Sequence, residues 1–208
     1  MQTKKKEKPT KGSSLWGILI FAILILVDQL TKAVAETFIS GSEEYPLFGG
    51  LIYFRLVYNR GISFGMGNDA SPAVKIGVIA ATAVIMLVLS VLYFKIDKRR
   101  AFMRTAFVFI VSGGVGNLID RVYYKVWKVD GALGVRDMVD LSKFGFAVCN
   151  FADFFISAGA VMLVLAFLFF DTDAFFPVGK YKLLQKEAEE REEAKKTQKK
   201  EEEKEDER

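Results

Sequence analysis

Asp137, Asp140 and Asp153 fall within one stretch, VRDMVDLSKFGFAVCNFAD, at residues 135–153, and Asp153 heads an apolar run from Phe154 to Phe170. An ionised carboxylate at the edge of lipid costs free energy unless something pairs or uses it. Two carboxyl groups held close together cannot both ionise easily; one keeps its proton while the other stays charged. Such a pair can take a proton from water and give one to a carbonyl oxygen. That is amide hydrolysis with neither a metal nor a covalent intermediate. By spacing alone, Asp153 can pair with Asp120, Asp137 or Asp140.

The composition removes other routes. Histidine is absent and Cys149 is the single cysteine. A Ser-His-Asp triad, a Cys-His pair and a His or Cys zinc site are therefore excluded. So is an intrachain disulfide. Cys149 reads as an inert small residue, because a thiolate nucleophile needs an activating partner. Carboxylates remain, or a Ser-Lys pair in which Ser63 or Ser157 faces Lys32. No metal or organic cofactor is expected.

The elements that must position these groups are apolar. The chain has 208 residues, 51% of them hydrophobic, including 19 Phe. Four runs, near 15–34, 73–94, 105–124 and 152–171, are long enough to cross hydrocarbon as helices. The fold class expected is an α-helical membrane protein with four transmembrane helices. Ala33-Val34-Ala35 has the form of a cleavage site, but Asp28 and Lys32 precede it and three more spans follow, so a retained first helix is expected.

Loop charge orients the spans. Lys4, Lys5, Lys6, Lys8 and Lys11 precede the first; Lys95, Lys98, Arg99, Arg100 and Arg104 lie between the second and third; Lys180 and Lys182 follow the fourth. These segments, and both termini, are expected in the cytoplasm. Segments 37–72 and 125–151 then face outward. The first of these, rich in Tyr, Phe, Ile, Leu and Val with a turn at Gly49-Gly50, predicts short strands and a small sheet on the outer membrane face. The tail 180–208 is Glu/Lys low complexity with net charge −1, which leaves +5 on residues 1–179. It reads as a solvated helix or a disordered segment. The basic excess needs no nucleic acid. The organisation expected is a basic N-terminus 1–14, a four-span domain 15–172 containing the β-rich segment 37–72, and a charged tail 173–208.

Polar residues gather at the outer ends of three spans. Asp28 and Lys32, four apart, share a helix face. Asn117 precedes Asp120 by three and Arg121 by four, which predicts one polar side on the third span. Asn150, Asp153 and Ser157 recur at three and four on the last. Gly113, Gly114 and Gly116 predict close helix packing. Asp28–Lys32 and Asp120–Arg121 also fit a structural ion-pair network, since buried charges need partners in any case. Asp153 has no basic neighbour on its own helix.

Five pieces in order, DQLTK at 28–32, NRGISFG at 59–65, GGVGNLIDR at 113–121, VRDMVD at 135–140 and NFAD at 150–153, make residues 15–172 resemble the lipoprotein signal peptidase (signal peptidase II) family. The resemblance implies an aspartic endopeptidase with four membrane helices and an outer β-cradle in the bacterial inner membrane. It implies removal of signal peptides from diacylglyceryl-modified prolipoproteins, with cleavage just before the lipidated cysteine at the outer face. It also implies that Asp137, in the V-x-D piece, and Asp153, in the N-x-A-D piece, are catalytic. Asn59, Gly61, Asn117, Asp120, Arg121, Asn150, Asp28 and Lys32 fall on substrate-binding or supporting positions. The partners expected are the lipid-modified precursor and membrane lipid, the chain acting as a monomer. The alternative is a small transporter or channel with a polar site at its outer face, against which stand the lack of an internal repeat and the off-centre polar cluster. A presenilin-like intramembrane protease would want a G-x-G-D piece, which this chain lacks.

Overall fold

The structure is a computed structural model that describes residues 12–39, 43–61, 69–98, 100–128, 133–170 and 174–206. Ser63, the second half of NRGISFG, Arg99 and the N-terminal lysines lie outside these. The elements are α1 (Gly12–Phe38), β1 (Tyr45–Leu47), β2 (Ile52–Asn59), α2 (Pro72–Lys95), α3 (Ala101–Tyr123), β3 (Val135–Asp140), β4 (Val148–Cys149), α4 (Phe151–Leu168) and α5 (Lys180–Asp206). The chain divides into two compact units, 1–160 and 161–208.

Among the described residues four helices are long and apolar enough to cross a membrane: Leu15–Phe38, Pro72–Lys95, Ala101–Tyr123 and Phe151–Leu168. They match the four expected runs. α1 is continuous through Ala33–Ala35. α3 is the central span: 61% of its most apolar window is buried, against 6–17% for the other three. It is also the least apolar of the four, as suits a helix that meets protein rather than lipid.

Glycine is what lets the other spans approach α3. A Cβ on Gly113 would strike the Ala152 carbonyl and Ile156 of α4, one on Gly114 would strike Met86 of α2, and one on Gly116 would strike Asp28 of α1. Three glycines within four residues thus receive three different helices, the close approach that small residues permit in membranes. The Phe109 and Phe155 rings meet edge-on at 6.1 Å, adding a contact between α3 and α4.

The sheet is antiparallel with order β1-β2-β3-β4. Only β1 and β2 come from the segment where strands were expected. β3 and β4 come from 125–151, where no strand was expected, so Asp137 and Asp140 stand on a strand. The physical reason is burial: all six β3 residues are buried, so this strand carries polar groups to internal partners rather than to water. Val57 pairs with Asp137 and Val139 with Cys149, and the β2–β3 ladder has a bulge between Phe54 and Val57. Ala35 of α1 and Ile39, just past its end, pack with Met138 and Val139 of β3, and Ile52, Phe54 and Cys149 close around them. This apolar cluster seats the sheet on the end of α1 that carries Asp28 and Lys32.

In the second unit, the last turns of α4 are followed by a short segment whose Phe175 and Phe176 N–H groups donate to the Phe167 and Leu168 carbonyls at 3.0 and 2.8 Å. The tail then forms α5, one of the two expected states. Its Arg191–Glu187 pair, 3.6 Å apart, is largely exposed and contributes little.

Candidate active site

Asn150 is the N-cap of α4. Its Oδ1 accepts the Asp153 N–H at 3.1 Å, and the Asp153 Oδ2 accepts the Asn150 N–H at 3.0 Å. This is a reciprocal capping box built from Asn and Asp, three residues apart. It fixes the Asp153 carboxyl at the positive end of the helix, where a negative charge is favoured. The other Asp153 oxygen accepts from Asn117 Nδ2 at 2.8 Å, across from α3.

Asp137 comes to the same place from the sheet and is 3% exposed. Its Oδ1 accepts from Asn150 Nδ2 at 2.6 Å and its Oδ2 from Asn59 Nδ2 at 3.1 Å. The Asn59 Oδ1 accepts the Gly61 N–H at 2.9 Å, an Asx turn that directs its amide nitrogen toward Asp137. Burial, with the Asp153 charge adding to it, pushes the Asp137 carboxyl up to about 7, against the opposing donors Asn59 and Asn150.

Asn117 joins both aspartates to α1. Its Oδ1 accepts from Asn150 Nδ2 at 3.0 Å and from Lys32 Nζ at 2.9 Å. Lys32 also contacts Asp28 at 2.9 Å and Asp120 at 3.6 Å, with all three side chains fully buried. Asp28 in turn accepts the Ala152 N–H at 3.0 Å, which satisfies one of the free donors in the first turn of α4. The Asp28–Lys32 pair therefore carries its own charge and holds the helix that presents Asp153.

Asp137, Asp153, Asn59, Asn117, Arg121 and Asn150 all line one cavity of about 530 Å³, whose other walls include Met86, Phe146, Phe154 and Ile156. Gly61 meets it through Arg121, whose guanidinium donates to the Gly61 and Asn117 carbonyls at 3.4 Å each. Asp28, Lys32 and Asp120 lie behind this wall. Ser157 lines the cavity as well, but the Lys32 ammonium is committed to Asp28 and Asn117. Among the described residues, no group of three or more His, Cys, Asp or Glu side chains could hold a metal ion.

The other acids have different partners. Asp140 pairs with Arg55 at 2.8 Å and accepts the Ser142 N–H at 2.8 Å. Burial opposes its ionisation, but the Ser142 and Arg55 donors outweigh it and hold the carboxyl below the usual carboxylate range. Asp120 does not pair with Arg121. Adjacent residues on a helix diverge, and Asp120 turns instead to Arg136 of β3, whose NH2 lies 2.8 Å from Oδ1. The Cys149 thiol is pushed up to about 12, first by burial and then by the charges of Asp153 and Asp137, which leaves it a poor nucleophile.

A second polar cluster has no counterpart in the sequence reading. Arg136 reaches Asp120, Glu36 and Gln29, and Glu36 accepts from the Tyr58 and Tyr124 hydroxyls at 2.8 and 2.6 Å. Burial and then Glu36 push the Tyr58 phenol up to about 12. One signal was present: Asp28, Lys32 and Glu36 recur at four residues, so the polar face of α1 runs one turn beyond DQLTK.

Comparison with known proteins identifies the family and the fold. Residues 20–169 match the family described as Signal peptidase (SPase) II. The chain is 33% identical over 162 residues to the lipoprotein signal peptidase of Fusobacterium nucleatum subsp. nucleatum, covering 77% of this chain and 90% of that one. It is 34% identical over 151 residues to that of Bifidobacterium longum, covering 72% and 76%, and 30% identical over 160 residues to that of Borrelia duttonii, covering 74% and 89%. Two solved bacterial membrane enzymes share the fold, with TM-scores of 0.62 and 0.55 at 24% and 22% identity. They cover 79% and 72% of this chain, and 97% and 85% of their own. The chain, a multi-pass membrane protein, belongs to the signal peptidase II family.

Proposed function

We propose that this chain is an aspartic endopeptidase that removes signal peptides from diacylglyceryl-modified prolipoproteins, cutting before the lipidated cysteine. The observation that carries the reading is the convergence of Asp137 and Asp153 on one cavity through a shared residue, Asn150. The family and the lipoprotein signal peptidases it resembles support the substrate class.

The two carboxyls start in different states. Burial and the Asp153 charge favour the proton on Asp137. Asp153, held by the Asn150 N–H in the first turn of α4, takes the part of the base. Asp153 takes a proton from water as the oxygen attacks the scissile carbonyl, and Asp137 gives its proton to the carbonyl oxygen. Collapse of the tetrahedral species returns a proton to Asp137, and Asp153 passes its own to the leaving amine. The pair acts as a unit. Arg121, Asn59 and Asn117 border the space the peptide would take.

In this reading the peptidase domain is 15–172, with 1–14 and 173–208 as cytoplasmic extensions, and the sheet end faces outward from a bacterial inner membrane. The chain acts as a monomer on a precursor that enters from lipid, past the apolar walls of the cavity. The test is cleavage of a diacylglyceryl-cysteine precursor by the purified full chain. Release of a fragment ending just before that cysteine supports the reading, and failure to cut it contradicts the reading.

A further inference from the structure

Arg136 and Asp137 are neighbours on β3, and successive strand residues project from opposite faces. Asp137 enters the cavity. Arg136 leaves the other face and is bound on three sides. Its NH2 meets Asp120 Oδ1 at 2.8 Å and Gln29 Oε1 at 3.1 Å, its NH1 meets Glu36 Oε2 at 3.0 Å, and its guanidinium carbon lies 5.3 Å from the Tyr124 ring centre. The Arg136 backbone N–H also donates to Asp120, at 3.0 Å. One residue thereby joins the sheet to α1 and α3.

Strand pairing by itself holds β3 less firmly here. The β2 bulge between Phe54 and Val57 ends beside Asp137, whose partner is Val57. On the other edge, β4 pairs only with Val139 and Asp140. A bulge re-aims side chains, and a slip of one residue would exchange the two faces of a strand. Such a slip would place Arg136 in the cavity and Asp137 against Asp120 and Glu36. Arg136 also balances the Asp120 charge, since Lys32 is held at 2.9 Å by Asp28 and by Asn117 and stands 3.6 Å from Asp120; the test below separates the two duties.

We infer that Arg136 is a positioning residue for the reaction, tying β3 to α1 and α3 so that the Asp137 carboxyl stays aimed at Asn150 and Asp153. The inference rests on the reading of Asp137 and Asp153 as the working pair. Arginine suits the task because its planar fork serves several acceptors at once, which a lysine ammonium does at only one point.

The test uses the full chain in detergent with a diacylglyceryl-cysteine precursor. It compares wild type, Arg136→Lys, Arg136→Gln and the double variant Asp120→Asn/Arg136→Gln by kcat, KM, pH profile and thermal unfolding. The expected result for Arg136→Gln is a kcat about 10–100-fold lower, in the range lost when a catalytic group is misplaced by about an ångström, with KM nearly unchanged. Arg136→Lys should recover part of that loss. The double variant removes the Asp120 charge along with its arginine; Lys32 keeps Asp28, and the half-buried Glu36 keeps the Tyr58 and Tyr124 hydroxyls. It should regain unfolding temperature while kcat stays low, and its alkaline limb should move to lower pH as Asp137 escapes the Asp153 charge. Recovery of stability and kcat together would overturn the inference, since Arg136 would then only balance charge. Full kcat in folded Arg136→Gln would overturn it too. A wild-type chain that leaves the precursor uncut would instead overturn the reading of the pair, and this inference with it.

Discussion

Asn150 and Asp153 cap one another: the backbone N–H of each donates to the side chain of the other, at 3.0 and 3.1 Å. The residue that starts α4 and the acid in its first turn are therefore one local unit, joined by contacts three residues apart in sequence. Asn150 then spends its remaining donor on Asp137 at 2.6 Å and Asn117 at 3.0 Å. These two duties are separable. Asn150→Ala loses both, whereas Asn150→Ser keeps an oxygen for the Asp153 N–H but lacks the amide donor. Unfolding in detergent should find the serine variant more stable than the alanine variant by about 1 kcal/mol, the worth of an N-cap. Precursor cleavage should stay at least about tenfold down in both, as expected when a buried working carboxyl loses the hydrogen bond that aims it.

The raised Asp137 carboxyl predicts how stability changes with pH. The ordinary value is 3.8 and the folded value is about 7, so between them the folded chain holds a proton that the unfolded chain has lost. Stability must therefore fall as pH rises through that window and level off above it. Asp137→Asn removes the ionisation. The stability of the variant relative to wild type should grow between pH 4 and pH 8 by an amount on the order of a few kcal/mol. Unfolding curves at both pH values, for both proteins, measure this; a gap that stays constant would show that Asp137 titrates normally. In the proposed mechanism the same proton goes to the scissile carbonyl, so wild-type cleavage should decline above about pH 7.

The spans were legible because lipid imposes length and apolarity on a continuous stretch, and no tertiary information is needed to see it. Asp28–Lys32 and Asn150–Asp153 were legible for a similar reason, since both are contacts within one helix or its cap. What spacing missed is non-local. Asp120 finds Arg136 on a strand 16 residues later, and no helical periodicity predicts that. β3 was missed because its polar residues face internal partners on both sides, so alternation does not separate water from core. Once VRDMVD is known to be a strand, Asp137 and Asp140 are three apart and must point to opposite faces. That geometry separates two acids that sequence spacing left equivalent. The resemblance had chosen Asp137 from motif position.

The glycines of α3 give a prediction about packing. A Cβ at Gly113 would meet the Ala152 carbonyl, which is backbone and cannot turn aside. Gly113→Ala should destabilise by about 1–3 kcal/mol, as overpacking does. It should also reduce cleavage, because the displaced helix carries Asp153. Gly77 of α2 has open space where a Cβ would stand. Gly77→Ala should leave cleavage intact and change stability by no more than about 1 kcal/mol, in the stabilising direction. Thermal unfolding of both variants beside wild type decides it; equal effects would contradict the packing described for α3.

The measurement closest to the central claim compares wild type with Asp137→Asn, Asp153→Asn and Asp140→Asn on one diacylglyceryl-cysteine precursor, with unfolding temperature checked for each. Asp137→Asn and Asp153→Asn should each lose roughly 10²–10⁴-fold in kcat, the range of a general acid or base, while remaining folded. Asp140→Asn breaks the Arg55 pair outside the cavity and should cleave at close to the wild-type rate. Full activity in folded Asp137→Asn or Asp153→Asn, or loss confined to Asp140→Asn, would contradict the account.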